Sequence, residues 1–365
     1  MKNNTQKLRA RVIAFYLPQF HPIPENDAWW GKGFTEWTNV ARAKPLFSGH
    51  HQPNLPADLG FYDLRLQETR VAQAKIAASY GIEGFCYWHY WFGGRRLLER
   101  PFNEVLESGH PDFPFCLGWA NESWTGVWNN DHNRMLLEQT YPGEDDDRAH
   151  FNYLLRAFSD NRYITVDEKP LLYIYKPLKL PDPKRRLDRF REFAHQAGLK
   201  GLYILGNNQL DFNSIEDLGL DGAVISTLGV ITTDNKILNT AKWAYWGFSK
   251  KLHIGGPRTI PYAEAIKHLV PDLSTFTFDT YPSAYPNWDT TPRSGRRGMV
   301  LTNSTPALFE QHMRAAVDAV AVRDDQHKMV FLKSWNEWAE GNYLEPDSRW
   351  GYAYLEALQR ALSQV

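Results

Sequence analysis

Two of the 365 residues are cysteine, and long apolar runs, a strong net charge and glycine-rich phosphate loops are all missing. Cys86 and Cys116 each lie inside a strand-like apolar run, so they read as buried free thiols rather than a disulfide or redox pair. A formal net charge of −1 gives no general attraction to nucleic acid or to an anionic membrane. No stretch approaches the length of a membrane span. The basic start, MKNNTQKLRAR, is followed by no apolar leader core, so the expected location is cytoplasmic. The histidines, His50 and His51 included, lack the spacing of a zinc site. Asp145, Asp146 and Asp147 form an acidic triplet of a kind that can hold a metal. They open a helical pattern, however, where the backbone dipole favours acids. The Gly-x-Ser-x-Gly signature of esterases is absent as well. No metal and no cofactor is expected.

What the chain has in excess is aromatic area. Aromatic residues make up 14%, with 14 Trp and 18 Tyr, more than a core of this size needs. Such rings commonly line carbohydrate or protein surfaces, because they pair a large apolar area with a polar tip. Strand-like and helix-like segments alternate. Strands are expected at 11–20, 82–92, 113–121, 170–177, 201–208, 221–227, 274–281 and 329–335. Helices are expected at 64–80, 102–107, 145–158, 184–197, 211–218 (weakly), 257–269, 306–322 and 352–362. Alternation of this kind argues for parallel strands with helical crossovers. Eight strands point to a single (β/α)8 barrel over residues 1–365, with long loops after the strands. The irregular segment 22–62, rich in Pro, Gly, Trp and His, is too long to be idle inside a compact domain.

The chemistry concentrates in residues 329–346, MVFLKSWNEWAEGNYLEP. A buried strand here delivers Glu337 and Glu340 among tryptophans. Side chains alternate along a strand, so both carboxyls reach one pocket only if the chain turns near Trp338, which Gly341 makes easier. Two carboxyls around one bond are what glycosidic cleavage needs. Polar and aromatic residues also sit at the expected strand ends, where a barrel builds its active site: Tyr16, His89, Trp119, Asn121, Asn207 and Tyr281. Aromatic runs at 87–91, at Trp119, Trp124 and Trp128, and at Tyr281, Tyr285 and Trp288 suit a platform for several sugar residues. The substrate-binding set read from this pattern is Tyr16, Glu36, Trp37, Trp88, His89, Trp119, Asn121, Tyr281, Trp288, Trp335 and Asn336. Glu122 is a further rim carboxylate, with loop-tying as its plainer reading.

The motifs YLPQFHP (16–22), WGKGFTEWTNV (30–40), HQP (51–53), GFCYWHYW (84–91), WANESW (119–124) and KSWNEWAEG (333–341) resemble the WbsX-like family across essentially the whole chain. That family, found among bacterial surface-polysaccharide genes, is often labelled glycosyltransferase. It is similar in turn to glycoside hydrolase family 99, the endo-α-mannosidases and endo-α-mannanases, which are (β/α)8 barrels. This second resemblance rests mainly on Asn336-Glu-Trp-x-Glu-Gly341. It implies a metal-free retaining hydrolase acting on α-linked, mannose-like glycans through a 1,2-anhydro sugar. Glu337 would be the base on the sugar's 2-hydroxyl, and Glu340 the acid on the leaving oxygen. The residues alone leave open a nucleophile-based retaining route, or inversion. The partner implied is an oligosaccharide or polysaccharide. Competing readings are a glycosyltransferase or transglycosidase of polysaccharide assembly, and a carbohydrate-binding protein without catalysis.

Overall fold

The computed structural model describes residues 8–126, 131–230 and 256–363. Eight parallel strands close into a barrel: β1 (Arg11–Tyr16), β2 (Gly84–Phe92), β3 (Phe115–Trp119), β4 (Lys169–Ile174), β5 (Tyr203–Asn208), β6 (Gly222–Ile225), β7 (Asp279–Ala284) and β8 (Met329–Leu332). Closure is made by β1, which pairs with β8 through Ala14↔Leu332 and with β2 through Phe15↔Cys86. Helices and filled interior cover both faces of each strand, which is why the strands are near-continuous apolar runs. The helices are α1 (Pro24–Trp30), α2 (Glu36–Arg42), α3 (Gln67–Ser79), α4 (Arg100–Ser108), α5 (Glu144–Phe158), α6 (Pro183–Gln196), α7 (Tyr262–Leu269), α8 (Thr291–Ser294), α9 (Pro306–Val320) and α10 (Ala353–Leu362). No helix among the described residues is long and apolar enough to cross a membrane.

Inside the barrel, Phe15 packs against Trp88, Tyr173 and Phe331 at centroid distances of 4.8, 4.7 and 5.9 Å. This ring layer closes the barrel below the cleft described next. The acidic triplet does open a helix. Glu144, Asp145, Asp146 and Asp147 occupy the first turn of α5, and buried Asp147 takes Arg186 and Arg189 of α6. The Trp91 indole donates to Asp146 at 3.1 Å. Cys86 and Cys116 are buried free thiols, registered side by side on β2 and β3.

Several expected boundaries shift for local reasons. Strand β1 stops at Tyr16, not at residue 20. Leu17 gives both its backbone groups to the Asn336 side chain, at 2.8 and 3.0 Å, and Pro18 lacks an amide hydrogen. The weak helix expected at 211–218 is one 3-10 turn, Glu216–Leu218. Asn208 Oδ1 accepts from the amides of Asp211 and Phe212, and Ser214 Oγ from Glu216, so side chains take groups that a helix would use. Residues Arg258–Pro261 form a strand paired with Met299–Thr302, and the helix begins only at Tyr262. Pro261 disfavours the helical region for the residue before it. Strand β7 starts at Asp279 rather than at residue 274, because Asp272 caps a turn at Leu273–Thr275.

The segment 22–62 is not structureless. It carries α1 and α2 and runs beneath the 329–346 stretch, touching it through Trp37 and Trp338 (5.5 Å between rings) and through Tyr62 and Glu345 (2.8 Å).

Candidate active site

Past the end of β8 the chain forms a short hairpin. Asn336–Glu337 pair antiparallel with Asn342–Tyr343 around a 3-10 turn at Trp338–Glu340. Gly341 ends that turn at φ 57°, and a Cβ there would lie 2.7 Å from Asp289 Cβ, so the position demands glycine twice over. The expected turn therefore exists, and it brings Glu337 and Glu340 to one cleft of about 500 Å³ at the C-terminal mouth of the barrel. Rings of Trp30, Trp88, Tyr90, Trp124, Tyr175 and Trp288 wall this cleft, with Lys333 and Arg293 among its polar lining.

Arg293, on α8, organises the carboxyls. Its side chain is 3% exposed and faces three glutamates at once. Nη2 lies 3.1 Å and Nε 3.2 Å from fully buried Glu36, while Nη1 lies 3.5 Å from Glu337 and bonds Glu340. Three buried acids around one cation cannot all be neutralised by it. Burial and the neighbouring charge of Glu340 push the Glu337 carboxyl up to about 8, against the pull of Arg293 and Lys333. Burial likewise raises Glu36, with Arg293 opposing. The carboxyls in turn hold the guanidinium above its ordinary value despite its burial. Glu337 and Glu340 thus share one cation, with burial holding the Glu337 carboxyl toward its protonated form. Among the described residues, no cluster of three or more His, Cys, Asp or Glu is arranged to hold a metal.

Of the substrate-binding set, Trp88 and Trp288 line the cleft beside the two glutamates, and Glu36 reaches it through Arg293. The other eight lie away from it. Tyr16, His89 and Trp119 point outward between barrel and helices. There Tyr16 donates to Gln73 (2.7 Å), His89 bonds His150 (2.8 Å), and Trp119 packs on His150 (4.6 Å). Tyr281 faces inward but near the bottom of the barrel, bonded to Tyr203 (2.7 Å) and His327 (2.9 Å), because β7 starts later than expected. Trp37 is held in the packing by its bond to Tyr62 O (2.8 Å), and Asn121 ties the end of β3 to Lys176. Trp335 is buried against Phe85, and Asn336 fastens the hairpin to Leu17. Glu122 sits on the cleft rim, paired with Lys179 at 3.0 Å. Trp128 lies outside the described residues.

Sequence reading missed Arg293, Lys333, Tyr90 and Tyr175. Tyr90 and Lys333 stood within the quoted motifs, but which side of the strand they take is not marked there. Arg293 stands in TTPRSGRR, which carries no local signal of its partners.

The comparisons with known proteins agree with this architecture. At 18% identity the chain is similar to a structure titled glycoside hydrolase-like protein, with a TM-score of 0.61, covering 98% of this chain and 94% of that one. At 15% identity it is similar to the family 99 endo-alpha-mannosidase of Bacteroides thetaiotaomicron, with a TM-score of 0.53, covering 96% and 95%. At such identities the likeness shows the fold. In sequence it is 38% identical over 367 residues to "Uncharacterized protein WxcX" of Xanthomonas campestris pv. campestris, covering 99% of this chain. It spans 50% of that relative, so the chain is about half the length of the curated protein it matches. A family model described as glycosyltransferase WbsX matches residues 12–358, and the chain belongs to that family.

Proposed function

We propose that this protein is a retaining glycoside hydrolase acting on α-linked, mannose-like bacterial glycans, with Glu337 and Glu340 as its catalytic pair. The observation that carries the reading is the carboxyl pair held by Arg293 in a ring-walled cleft. Both carboxyls meet one guanidinium nitrogen, which keeps them close. That favours the spacing of retaining pairs, about 5 to 5.5 Å, over the wider gap that inversion needs for water. Cleavage needs one carboxyl to remove the proton from the 2-hydroxyl as O2 bonds to the anomeric carbon. The other gives its proton to the departing oxygen, and water then opens the 1,2-anhydro sugar with the roles reversed. The resemblance assigns the acid to Glu340, whereas burial raises the Glu337 carboxyl. Both carboxyls meet Nη1 of Arg293, so the proton passes between them once the leaving oxygen is bound.

The test is release of reducing sugar from α-linked oligosaccharides and bacterial polysaccharides by wild type, Glu337→Gln and Glu340→Gln. Loss in both variants supports the pair; turnover that survives both overturns it. The family description favours a second reading, a transfer enzyme that passes the sugar to an alcohol instead of water. Elongated products formed with an added acceptor sugar identify that outcome, and tight binding of a nucleotide sugar would point to a donor of that class.

A further inference from the structure

Resting on the carbohydrate reading of the same cleft, we infer that Lys333, beside Tyr175, anchors a subsite for the carboxylate of an acidic, uronic-acid-type sugar. Lys333 follows the inward column of β8, one turn of the strand above Phe331, and its side chain lines the cleft with Glu337. The ammonium lies 5.9 Å from the Phe15 ring centre and 5.7 Å from that of Tyr175. Among the described residues it has no hydrogen-bond or ion-pair partner; the rings are its contacts. Lys176, 4.6 Å from the centre of the same Tyr175 ring, likewise has no carboxylate partner among the described residues. The deeply placed arginines differ: Arg70, Arg162, Arg186 and Arg293 each hold a carboxylate.

An ammonium has three donors, and ring faces satisfy none of them as hydrogen bonds. Burial already disfavours its charged form, opposed by Glu337 and Glu340. A ligand anion supplies what the protein withholds. Glu337 and Glu340 offset the Lys333 charge at a distance without bonding it, so its donors stay free for a ligand. A carboxylate at C6 of the sugar would accept from those donors and leave the 2-hydroxyl untouched.

The test is calorimetric titration of the whole protein with methyl α-mannoside and with its C6-carboxylate counterpart, methyl α-mannosiduronate, at low and high salt. The expected result is at least tenfold tighter binding of the uronate at low salt, with the preference shrinking as salt rises. In Lys333→Met the preference should collapse toward one, while the rim variant Lys179→Met keeps it. Equal affinities in wild type, a preference that survives Lys333→Met, or no binding of either glycoside overturns the proposal. Failure of the hydrolase reading appears separately, as uronate binding without turnover.

Discussion

Two carboxylate sites sit beside the 336–343 hairpin, one of three glutamates and one of a single glutamate, and they are built in opposite ways. On the cleft side, Glu36, Glu337 and Glu340 share the one guanidinium of Arg293. On the far side, Glu345 is buried among neutral donors, accepting from Tyr62 (2.8 Å), Gln73 (2.6 Å) and the Trp338 indole (2.6 Å). Burial also raises Glu345, to about 7, and its hydrogen bonds oppose the shift. The far site is closed: each donor has its acceptor, and the indole it grips lies in the turn between Glu337 and Glu340. The cleft cluster is open, with more acid than cation and therefore with bonds left for a ligand. One side braces the turn and the other faces the cleft.

The largest break in this contrast is removal of either open-side carboxyl. Glu337→Gln and Glu340→Gln are expected to lower turnover by about 10²–10⁴-fold, the range of general acid–base catalysis. Their urea midpoints should change far less, since an amide fills the same space. Arg293→Met should act mainly on stability, by about 3–5 kcal/mol at pH 7, because it strands buried acids without a cation. Chemical denaturation checks this, and the loss should shrink at pH 5 as those acids take up protons.

A pH series sharpens the comparison next. The open-side mechanism needs one proton on the pair, and the Glu337 value of about 8 marks where it is lost. Turnover should fall roughly tenfold per unit above that pH, and a profile flat to pH 10 would rule the pair out as the proton source. Glu345→Gln is the smallest change. Its amide must turn a donor toward another donor, at a cost of about 1–3 kcal/mol. Glu345 ionises at its ordinary 4.5 when unfolded but near 7 when folded. Between these values the folded chain binds more protons, so this group's contribution to stability falls as pH rises. Urea titrations at pH 5 and 7.5 should show a smaller decline in Glu345→Gln than in wild type.

Much of the barrel was legible because alternating strand and helix patterns are local. Six crossovers carry helices as expected, as does the segment after β8, and the crossover that does not, at 211–218, failed through side-chain bonds from Asn208 and Ser214. The site was legible where chain geometry is local too: Glu337, Glu340 and the Gly341 turn lie within five residues. The rim aromatics were harder. In GFCYWHYWF both faces of the strand are buried, so no polar alternation marks which side faces in. Trp88 and Tyr90 enter the cleft, while His89 and Trp91 pack on α5.

The sequence by itself determined the alternation of elements, the strand that carries the acids, and the turn that gathers them, because each depends on neighbours a few residues apart. Only the tertiary structure decided the facing of each rim residue, the depth of Tyr281, and the meeting of Arg293 with Glu36 across 257 positions. Those follow from barrel closure and strand register, and a register is a relation between distant segments that neither segment spells out alone.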